Sequence, residues 1–350
     1  MSSLDARRLR AVGLLVALVL AVVVVPALPI FYVGTAGQIA AFAIVAMGAS
    51  LIVQHVNLPS LGHGAFFGIA AYAVGLLMLH GIPQTIPALL LAILITGAFA
   101  GVMGLVVLRT RAAYFMMITL AIGQLLSGLA SSLSFTGGDN GLSGIPFATI
   151  GSIDLSDPTQ FYFTCLVVLI VVAVILKLLV DAPFGFALRS LAGDDRRARS
   201  LGVSPLRVKL IAFVVSGMLT GLGGALYTLN SGFADPSMLS ATTSGSIFLM
   251  VALTTRLGVL GPIVGAILVE GITLIVGNHT THSQLVLGIV AALIALFVMR
   301  SDGAGGGVGR RRAGDDSATP SAGQRQVAGE PAGAGERSAS TVGKEPLDAV

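Results

Sequence analysis

Apolar stretches of about membrane-spanning length follow one another along most of the chain, and they constrain its fold more than any other feature. A helix needs roughly 20 predominantly apolar residues to cross the hydrocarbon core of a bilayer. Two of the ten candidate runs are weaker as spans, because 241–256 is short and 258–278 contains several glycines and Pro262. A count of eight or nine spans, with some segments re-entrant or broken, therefore stays open. Ten candidate spans fall at 11–33, 35–56, 60–80, 85–108, 112–134, 160–180, 209–231, 241–256, 258–278 and 283–300.

The charge content indicates the same class of protein. Hydrophobic residues make up 55% of the 350 positions and charged residues only 10%, against roughly 25% charged residues in a soluble domain. A chain of this composition cannot cover a water-facing surface. We therefore predict an all-α, polytopic transmembrane helix bundle in the plasma membrane.

The distribution of basic residues predicts how the spans are oriented. Cytoplasmic loops of membrane proteins carry an excess of Lys and Arg. With ten spans and a cytoplasmic N-terminus, all 20 Lys and Arg residues fall inside or at the inner edge, and the outer loops carry only acidic charge. Both termini are therefore predicted to be cytoplasmic, with residues 1–10 as the N-terminal segment and 11–300 as the transmembrane domain. The same distribution argues against a nucleic-acid partner, although the net charge is +4.

Two segments outside the spans have distinct compositions. The tail 301–350 is rich in Gly, Ala, Pro and charge, which predicts a disordered cytoplasmic segment. Contact of its Arg310–Arg312 run with lipid headgroups is the alternative to a fully solvated tail. A cleaved signal peptide is the alternative to a first span at 11–33. This apolar run is longer than a typical signal-peptide core, which favours a retained span. The outer loop 135–159 is either a plain connection or a docking surface or gate. Its candidate residues are Gly137, Gly138, Asp139 and Asn140, which are typical of turns.

The chain lacks the residues of a nucleotide site. A phosphate-binding loop needs Gly-Lys followed by Ser or Thr, whereas Lys177, Lys209 and Lys344 precede Leu, Leu and Glu. We therefore expect no enzyme activity and no cofactor in this chain, with any ATP and Mg bound by a partner. No metal site is predicted either, because His279 and His282 have no third ligand nearby in sequence. The single cysteine, Cys165, excludes an intrachain disulfide.

Intramembrane ionisable residues are scarce. Glu270 lies within a predicted span, and His55 and His63 lie near the inner end of others. A charged carboxylate at the centre of a bilayer costs roughly 2.5–3.5 kcal/mol on insertion scales, so such residues in transporters usually serve ion or proton coupling. One acid is thin support for that role, but a stand-alone secondary transporter that uses Glu270 stays open. A structural scaffold without transport is a third alternative.

Residues 181–208 form a charged internal segment between two apolar runs. An aspartate at 194 or 195 suits a helix N-cap, Gly202 suits the left-handed position after a helix, and Pro205 prevents continuation. Such a short helix is marginal alone, so the membrane surface or a protein groove must hold it. The segment is either a topology-setting loop on lipid or a coupling helix bound by a cytoplasmic partner. The candidate coupling residues are Arg189, Asp194, Asp195, Arg196, Arg197, Ala198, Leu201 and Gly202.

Pairs of small residues four positions apart predict close helix packing. They occur at Gly64/Gly68, Gly97/Gly101, Gly217/Gly221 and Gly261/Gly265. Small residues at this spacing let helix backbones approach closely in a membrane.

Five motifs in this order resemble the permeases of branched-chain amino-acid ABC transporters. They are LPSLGHGAFFGIAAYAVGLL at 58–77, LRTRAAYFMMITLAIGQ at 108–124, TGGDNGLSGIP at 136–146, LGVSPLRVKLIAFVVSGMLTGLGGALY at 201–227 and LGPIVGA at 260–266. The resemblance implies an importer subunit that pairs with a homologous permease, two cytoplasmic ATPase subunits and an extracytoplasmic solute-binding protein.

The resemblance also concerns the charged segment. Permeases of this kind carry a cytoplasmic E-A-A-x-x-x-G pattern, which aligns with residues 196–202. Ala198 and Gly202 match, whereas Arg196 replaces the acidic residue, so the coupling role carries over without a salt bridge from that position. A second departure is the TTRLGVLGP stretch at 254–262, where the family has a glycine-rich run.

Local polarity within apolar spans suggests where a solute passes. The expected path is lined by the Gly/Ser/Phe-rich stretch at the start of the third span and by part of 114–124, and helix packing is the alternative. The candidates are Ser60, Gly62, His63, Gly64, Phe66, Phe67, Thr119 and Gln124. The expected solute is a branched-chain or other hydrophobic amino acid, with urea, amides or another small solute as the alternative.

Overall fold

The structure is a computed structural model that describes Val22 and residues 24–82, 84–110, 112–146, 148–151, 153–191, 202, 204–277 and 288–289. These residues belong to one compact unit, 1–299. Several predicted features lie outside the described residues: the N-terminal segment, most of the first and last spans, His279 and His282, and the tail 301–350.

Nine α-helices form the described part of the chain. They are α1 (Ile30–Ser50), α2 (His63–His80), α3 (Thr85–Val107), α4 (Ala112–Ser132), α5 (Pro158–Asp181), α6 (Pro183–Leu191), α7 (Pro205–Ser231), α8 (Ala241–Ala252) and α9 (Gly261–Gly277). Prolines begin several of them, since a first-turn proline lacks only an N–H that has no helical partner. Asp157 caps α5 by accepting a hydrogen bond from the Thr159 N–H at 2.8 Å.

Six of these helices are long and apolar enough to cross a membrane, counted over the described residues. The multi-pass helical class is therefore confirmed, but the described part does not reproduce the count of ten spans. With 12 residues, α8 is only about 18 Å long and cannot cross a core of about 30 Å alone. With 17 residues, α9 is longer than α8 but shorter than each of the six spanning helices.

The predicted boundary between the first two spans is wrong. One helix begins at Ile30 and continues through Gly34 and a π-helical turn, Leu51–His55. Gly34 does not end the helix, because its turn packs on α5, where an added Cβ would lie 3.6 Å from Pro158. The interruption lies earlier, in the short 3₁₀ turn Val25–Ala27 and at Pro29.

The alternating helices define two ends of the bundle. The basic end consists of residues 56–62, 108–110, 182–191 and 253–260. The acidic end consists of residues 133–157 and 232–240, and it carries Asp139, Asp154, Asp157 and Asp235. The described basic residues lie in or beside the basic end: Arg109, Lys177, Arg189, Arg207, Lys209 and Arg256. The segregation of charge predicted from the sequence is therefore present in the described helices.

Two short antiparallel strand pairs interrupt the helical architecture at the acidic end. β1 (Leu142–Ser143) pairs with β4 (Phe233–Ala234), and β2 (Thr149–Ile150) pairs with β3 (Ile153–Asp154). The first pair joins the loop between α4 and α5 to the chain that follows α7. The β1–β4 pairing thus ties the loop to the bundle.

The glycine-rich helix α7 lies at the centre and packs closely on α1, α2 and α3. An added Cβ at Gly223 would lie 2.8 Å from the Ala41 carbonyl oxygen, and one at Gly224 would lie 2.5 Å from the Phe67 carbonyl oxygen. At Gly217 it would lie 2.7 Å from the Ala100 Cβ. At Gly221, the other member of the predicted pair, it would lie 2.9 Å from the Thr96 Cγ2, so the predicted packing role is confirmed for Gly217/Gly221.

Candidate functional site

The chain from 232 to 252 is a broken span. It starts at the acidic end with β4, continues through a 3₁₀ turn, Pro236–Leu239, and only then forms α8. Leu239 lies against Gly68 of α2 and, further along, Ser244 lies against Gly64. At the basic end, the Gln54 amide donates to the Val251 carbonyl oxygen at 3.2 Å. Non-helical backbone at membrane depth is tolerated only where it is buried in protein or lines a water-filled cavity.

Side chains of α4 satisfy the irregular backbone of this broken span. Ser127 Oγ donates to the Pro236 carbonyl oxygen at 2.9 Å, and the Ala241 N–H donates to Gln124 Oε1 at 3.2 Å. Within the segment, Thr243 Oγ1 donates to the Ser237 carbonyl oxygen at 2.8 Å. The start of α8 therefore places hydroxyls and backbone amides beside α4.

The start of α2 brings further polar groups to the same region. The Leu61 N–H donates to Thr119 Oγ1 at 3.2 Å, and the Gly64 N–H donates to Ser244 Oγ at 3.1 Å. An added Cβ at Gly62 would lie 3.1 Å from the Thr119 Cβ. We name this set the polar seam: Ser60, Gly62, Gly64, Thr119, Gln124, Ser240, Thr243 and Ser244. Its side chains are neutral hydroxyls and one carboxamide, so it can accept and donate hydrogen bonds without a fixed charge.

Five of the predicted path residues thus meet in the polar seam, and three others pack elsewhere. His63 Nε2 is hydrogen-bonded to Ser216 Oγ at 2.9 Å, and Ser216 Oγ donates to the Gly48 carbonyl oxygen. Phe66 lies edge-on to Phe213, at 5.3 Å between ring centroids. Phe67 stacks on Phe42 at 5.4 Å. These contacts are with α1 and α7, and Phe66 also lies edge-on to Phe99 of α3, at 6.2 Å between ring centroids.

Sequence reasoning missed the α8 side of the seam. Ser240, Thr243 and Ser244 fall in the stretch SATTSGS at 240–246, a polar run inside an apolar region. That run was the available signal. The bond between Gly64 and Ser244 joins residues 180 positions apart, which no local pattern reveals.

The predicted outer candidates lie at the acidic end. Gly137 and Gly138 adopt positive φ angles of 81° and 60°, and Asp139 and Asn140 are exposed in a 3₁₀ turn. Further along the loop, hydrogen bonds from the Ser156 hydroxyl and N–H to the Asp154 carboxylate lower the pKa of Asp154. This end of the bundle presents acidic and amide groups.

The predicted coupling segment is described only in part. α6 turns its apolar side inward, with Leu188 and Leu191 buried. The Arg189 guanidinium lies 4.9 Å from the Phe186 ring centroid and donates to the Val180 carbonyl oxygen at 3.0 Å. Gly202 is exposed, with φ of 78°. The other coupling candidates, Asp194, Asp195, Arg196, Arg197, Ala198 and Leu201, lie outside the described residues.

Glu270 lies in the second half of α9 and is half-buried. It forms no hydrogen bond or ion pair with any residue that the structure describes. Just before α9 begins, Thr254 Oγ1 donates to the Met250 carbonyl oxygen, and Gly258 has φ of 71° at a kink inside the 3₁₀ segment Thr255–Leu260. The stretch TTRLGVLGP at 254–262 therefore bends at Gly258.

Comparison with known proteins places the chain in a family. Residues 31–299 match the family model described as branched-chain amino acid transport system / permease component. Among curated relatives, the high-affinity branched-chain amino acid transport system permease protein LivM of Salmonella typhimurium is 28% identical over 283 residues, covering 73% of this chain and 66% of the relative. The match therefore spans slightly less than two thirds of that protein's length.

Two further relatives carry different names. The autoinducer 2 import system permease protein LsrC of Escherichia coli is 24% identical over 271 residues, covering 73% of this chain and 75% of the relative. The probable branched-chain amino acid transport permease protein LivH of Methanocaldococcus jannaschii is 28% identical over 200 residues, covering 52% and 61%. No solved structure matches this chain.

The helices and the relatives agree on the class of protein. Six described helices are of spanning length, which makes the chain a multi-pass protein of the plasma membrane. Permease subunits of ABC transporters are not themselves enzymes. The family model covers well over half of the sequence, and the chain belongs to the family of branched-chain amino acid transport permeases.

Proposed function

We propose that this chain is the permease subunit of an ATP-driven importer and that it carries branched-chain or related hydrophobic amino acids inward. The observation that carries the proposal is the broken span 232–252, whose non-helical part is hydrogen-bonded to Ser127 and Gln124 of the spanning helix α4. Secondary transporters place their solute sites at such interrupted helices, and we extend that placement to this chain because the interruption brings the hydroxyls and the carboxamide of the polar seam together.

The polar seam supports a small solute with an apolar side chain. Its groups can hydrogen-bond the polar part of an amino acid, while the surrounding helices offer an apolar wall. The name of the LivM relative favours branched-chain amino acids. The name of the LsrC relative shows that similar permeases carry other solutes, so urea, amides or another small solute are the alternative cargo.

The basic end supports a cytoplasmic placement, because Lys and Arg mark cytoplasmic loops. In this orientation α6 and Gly202 face the cytoplasm, where two ATPase subunits bind and supply ATP and Mg. The acidic end, with Gly137, Gly138, Asp139 and Asn140, faces outward and receives an extracytoplasmic solute-binding protein.

The contacts of α6 suggest how an ATPase moves the bundle. Arg189 is bonded to the last turn of α5 through the Val180 carbonyl oxygen. Leu188 and Leu191 are buried, so α6 cannot shift without moving the helices on which it packs. Movement of α6 is therefore passed to α5 and α7, and the polar seam opens alternately to the two sides of the membrane. A homologous permease completes the membrane part of the importer.

Deletion of the gene tests the proposal. Uptake of radiolabelled leucine, isoleucine and valine at low external concentration is expected to fall to the residual uptake that the cell's other amino-acid carriers supply. It is expected to recover when the gene is returned on a plasmid. Urea uptake, measured in the same cells, is expected to stay unchanged. Unaltered uptake of all three amino acids would contradict the proposed cargo.

A further inference from the structure

The chain departs from α-helical geometry in two ways where α1 ends. Leu51–His55 form a π-helical turn, which we call the π turn, and Asn57 just beyond it has φ of 58°. Among the residues that the structure describes, Asn57 is the one residue other than glycine with a positive φ. π-helical turns are rare and frequently lie at functional sites, and strained backbone persists only where its surroundings hold it in place. The two departures side by side indicate that this joint does more than connect α1 to α2.

The π turn lies between the helix that we assign to the ATPase and the broken span. It contacts α6, α7 and α8. On the α6 side, His55 is close enough to Arg189 for an electrostatic interaction, and Arg189 is the residue that bonds α6 to the last turn of α5. On the α8 side, the Gln54 amide donates to the Val251 carbonyl oxygen. One short segment therefore reaches both elements.

The hydrogen bond from Gln54 holds the basic end of α8. Val251 lies in the last turn of that helix, where carbonyl oxygens have no partner within the helix. Its carbonyl oxygen also accepts the Thr254 N–H at 3.3 Å. At its other end, α8 is held to Gln124 of α4, and it carries Ser244 of the polar seam. The short helix is thus attached at both ends, to α4 and to the π turn.

We propose that the π turn passes movement of α6 to α8, and that Gln54 is the positioning residue of this link. The proposal rests on the proposed function, because it takes the movement of α6 from there. Displacement of α6 shifts the π turn, and the Gln54 bond carries the basic end of α8 with it. Ser244 then moves relative to Gly64, whose N–H it accepts at 3.1 Å. The link therefore ends on the polar seam itself.

The movement of α8 is measured by the distance between two spin labels in the whole transporter, purified from native cells. One label is attached at Ala252→Cys, an exposed position at the end of α8. The other is attached at Val106→Cys, which is 65% exposed near the basic end of α3, and the native Cys165 is buried. The distance is recorded without nucleotide and with ATP, Mg and vanadate, which trap the ATPases.

Gln54→Met removes the amide donor and keeps the length of the side chain. The matched control is Gln38→Met, the same change at a half-buried residue of α1 whose carboxamide bonds to no residue that the structure describes. Nucleotide is expected to shift the distance in the wild type and in the control, and to shift it by less than half as much in Gln54→Met. Leucine transported per ATP is expected to fall about five- to tenfold in Gln54→Met, the ratio that corresponds to one lost hydrogen bond, at an unchanged rate of ATP hydrolysis.

Three results would overturn the link: no nucleotide-dependent shift in the wild type, an equal shift in Gln54→Met, or a parallel loss of hydrolysis, uptake and thermal midpoint, which marks a purely structural role. Gln54→Ala replaces Gln54→Met if that variant does not accumulate. The distance readout needs no cargo, so the two failures are distinguishable. A transporter whose α8 moves but which accumulates no leucine contradicts the proposed cargo alone. If leucine accumulates and Gln54→Met behaves as the wild type, only the link is wrong.

Discussion

Gly224→Val is expected to remove nearly all folded protein from the membrane. A Cβ at this position would lie 2.5 Å from the Phe67 carbonyl oxygen and 3.0 Å from the Phe67 Cα. Both obstacles are backbone atoms of α2, so no flexible side chain can move aside and the two helices must separate. Overpacking of a core typically costs about 1–3 kcal/mol and occasionally more, and the expected cost here is at the upper end. The measurement is the thermal midpoint of the detergent-solubilised protein together with its amount in the membrane.

Gly271→Val on α9 is the matched control for this substitution. The same Cβ at Gly271 would meet no atom of the described part of the chain within 4 Å, so the control carries the same change in helix propensity without the clash. It is expected to melt within a few degrees of the wild type. Equal thermal midpoints for the two variants would contradict the central packing of α7 on α2.

Gly202→Val is expected to reduce leucine uptake severely while the transporter still assembles. Gly202 has φ of 78°, a left-handed conformation that costs other L-residues roughly 1–2 kcal/mol and is least accessible to β-branched ones. Valine must change the path of the chain that leads into α7 at Pro205. Among the residues that the structure describes, no atom lies within 4 Å of an added Cβ, so the expected effect comes from backbone conformation and not from a clash.

Gly202→Asn separates conformation from side-chain size, because asparagine adopts the left-handed region far more readily. It is expected to keep most of the uptake that valine loses. The measurements are uptake, ATP hydrolysis and subunit co-purification for both variants, and the expected valine phenotype is ATP hydrolysis without uptake. Equal uptake by the two variants would count against this turn as part of the coupling region.

The sequence predicted the bounds of three spanning helices well. The predicted runs 60–80, 85–108 and 112–134 agree within about three residues with α2, α3 and α4, because long apolar runs bounded by polar residues leave few alternatives in a bilayer. It failed where packing decides. The predicted spans 11–33 and 35–56 meet at Gly34, but one helix continues through that residue. The weak run 241–256, for which a broken or re-entrant segment stayed open, is half of a broken span.

The candidate path was predictable only in part. Thr119 and Gln124 stand out as polar residues in an apolar span, and both contact the polar seam. Their partners are Leu61, just before α2, and Ala241, at the start of α8. These lie 58 and 117 positions away in the sequence, so only the tertiary structure brings them together. His63 and Phe66 have the same local signal, but they are buried against Ser216 and Phe213 of α7. Polarity and composition alone cannot distinguish the face of α2 that meets the polar seam from the face that packs on α7.

Reconstitution tests most directly whether this chain is a conduit moved by a separate ATPase. The whole transporter, purified from native cells through a tag on this chain, is placed in lipid vesicles, and the separated chain is placed in others. With ATP supplied to the ATPase side, the complex is expected to accumulate leucine against its gradient, and the chain alone is expected to accumulate none. Accumulation of leucine by the chain alone, with no ATPase present, would contradict the account.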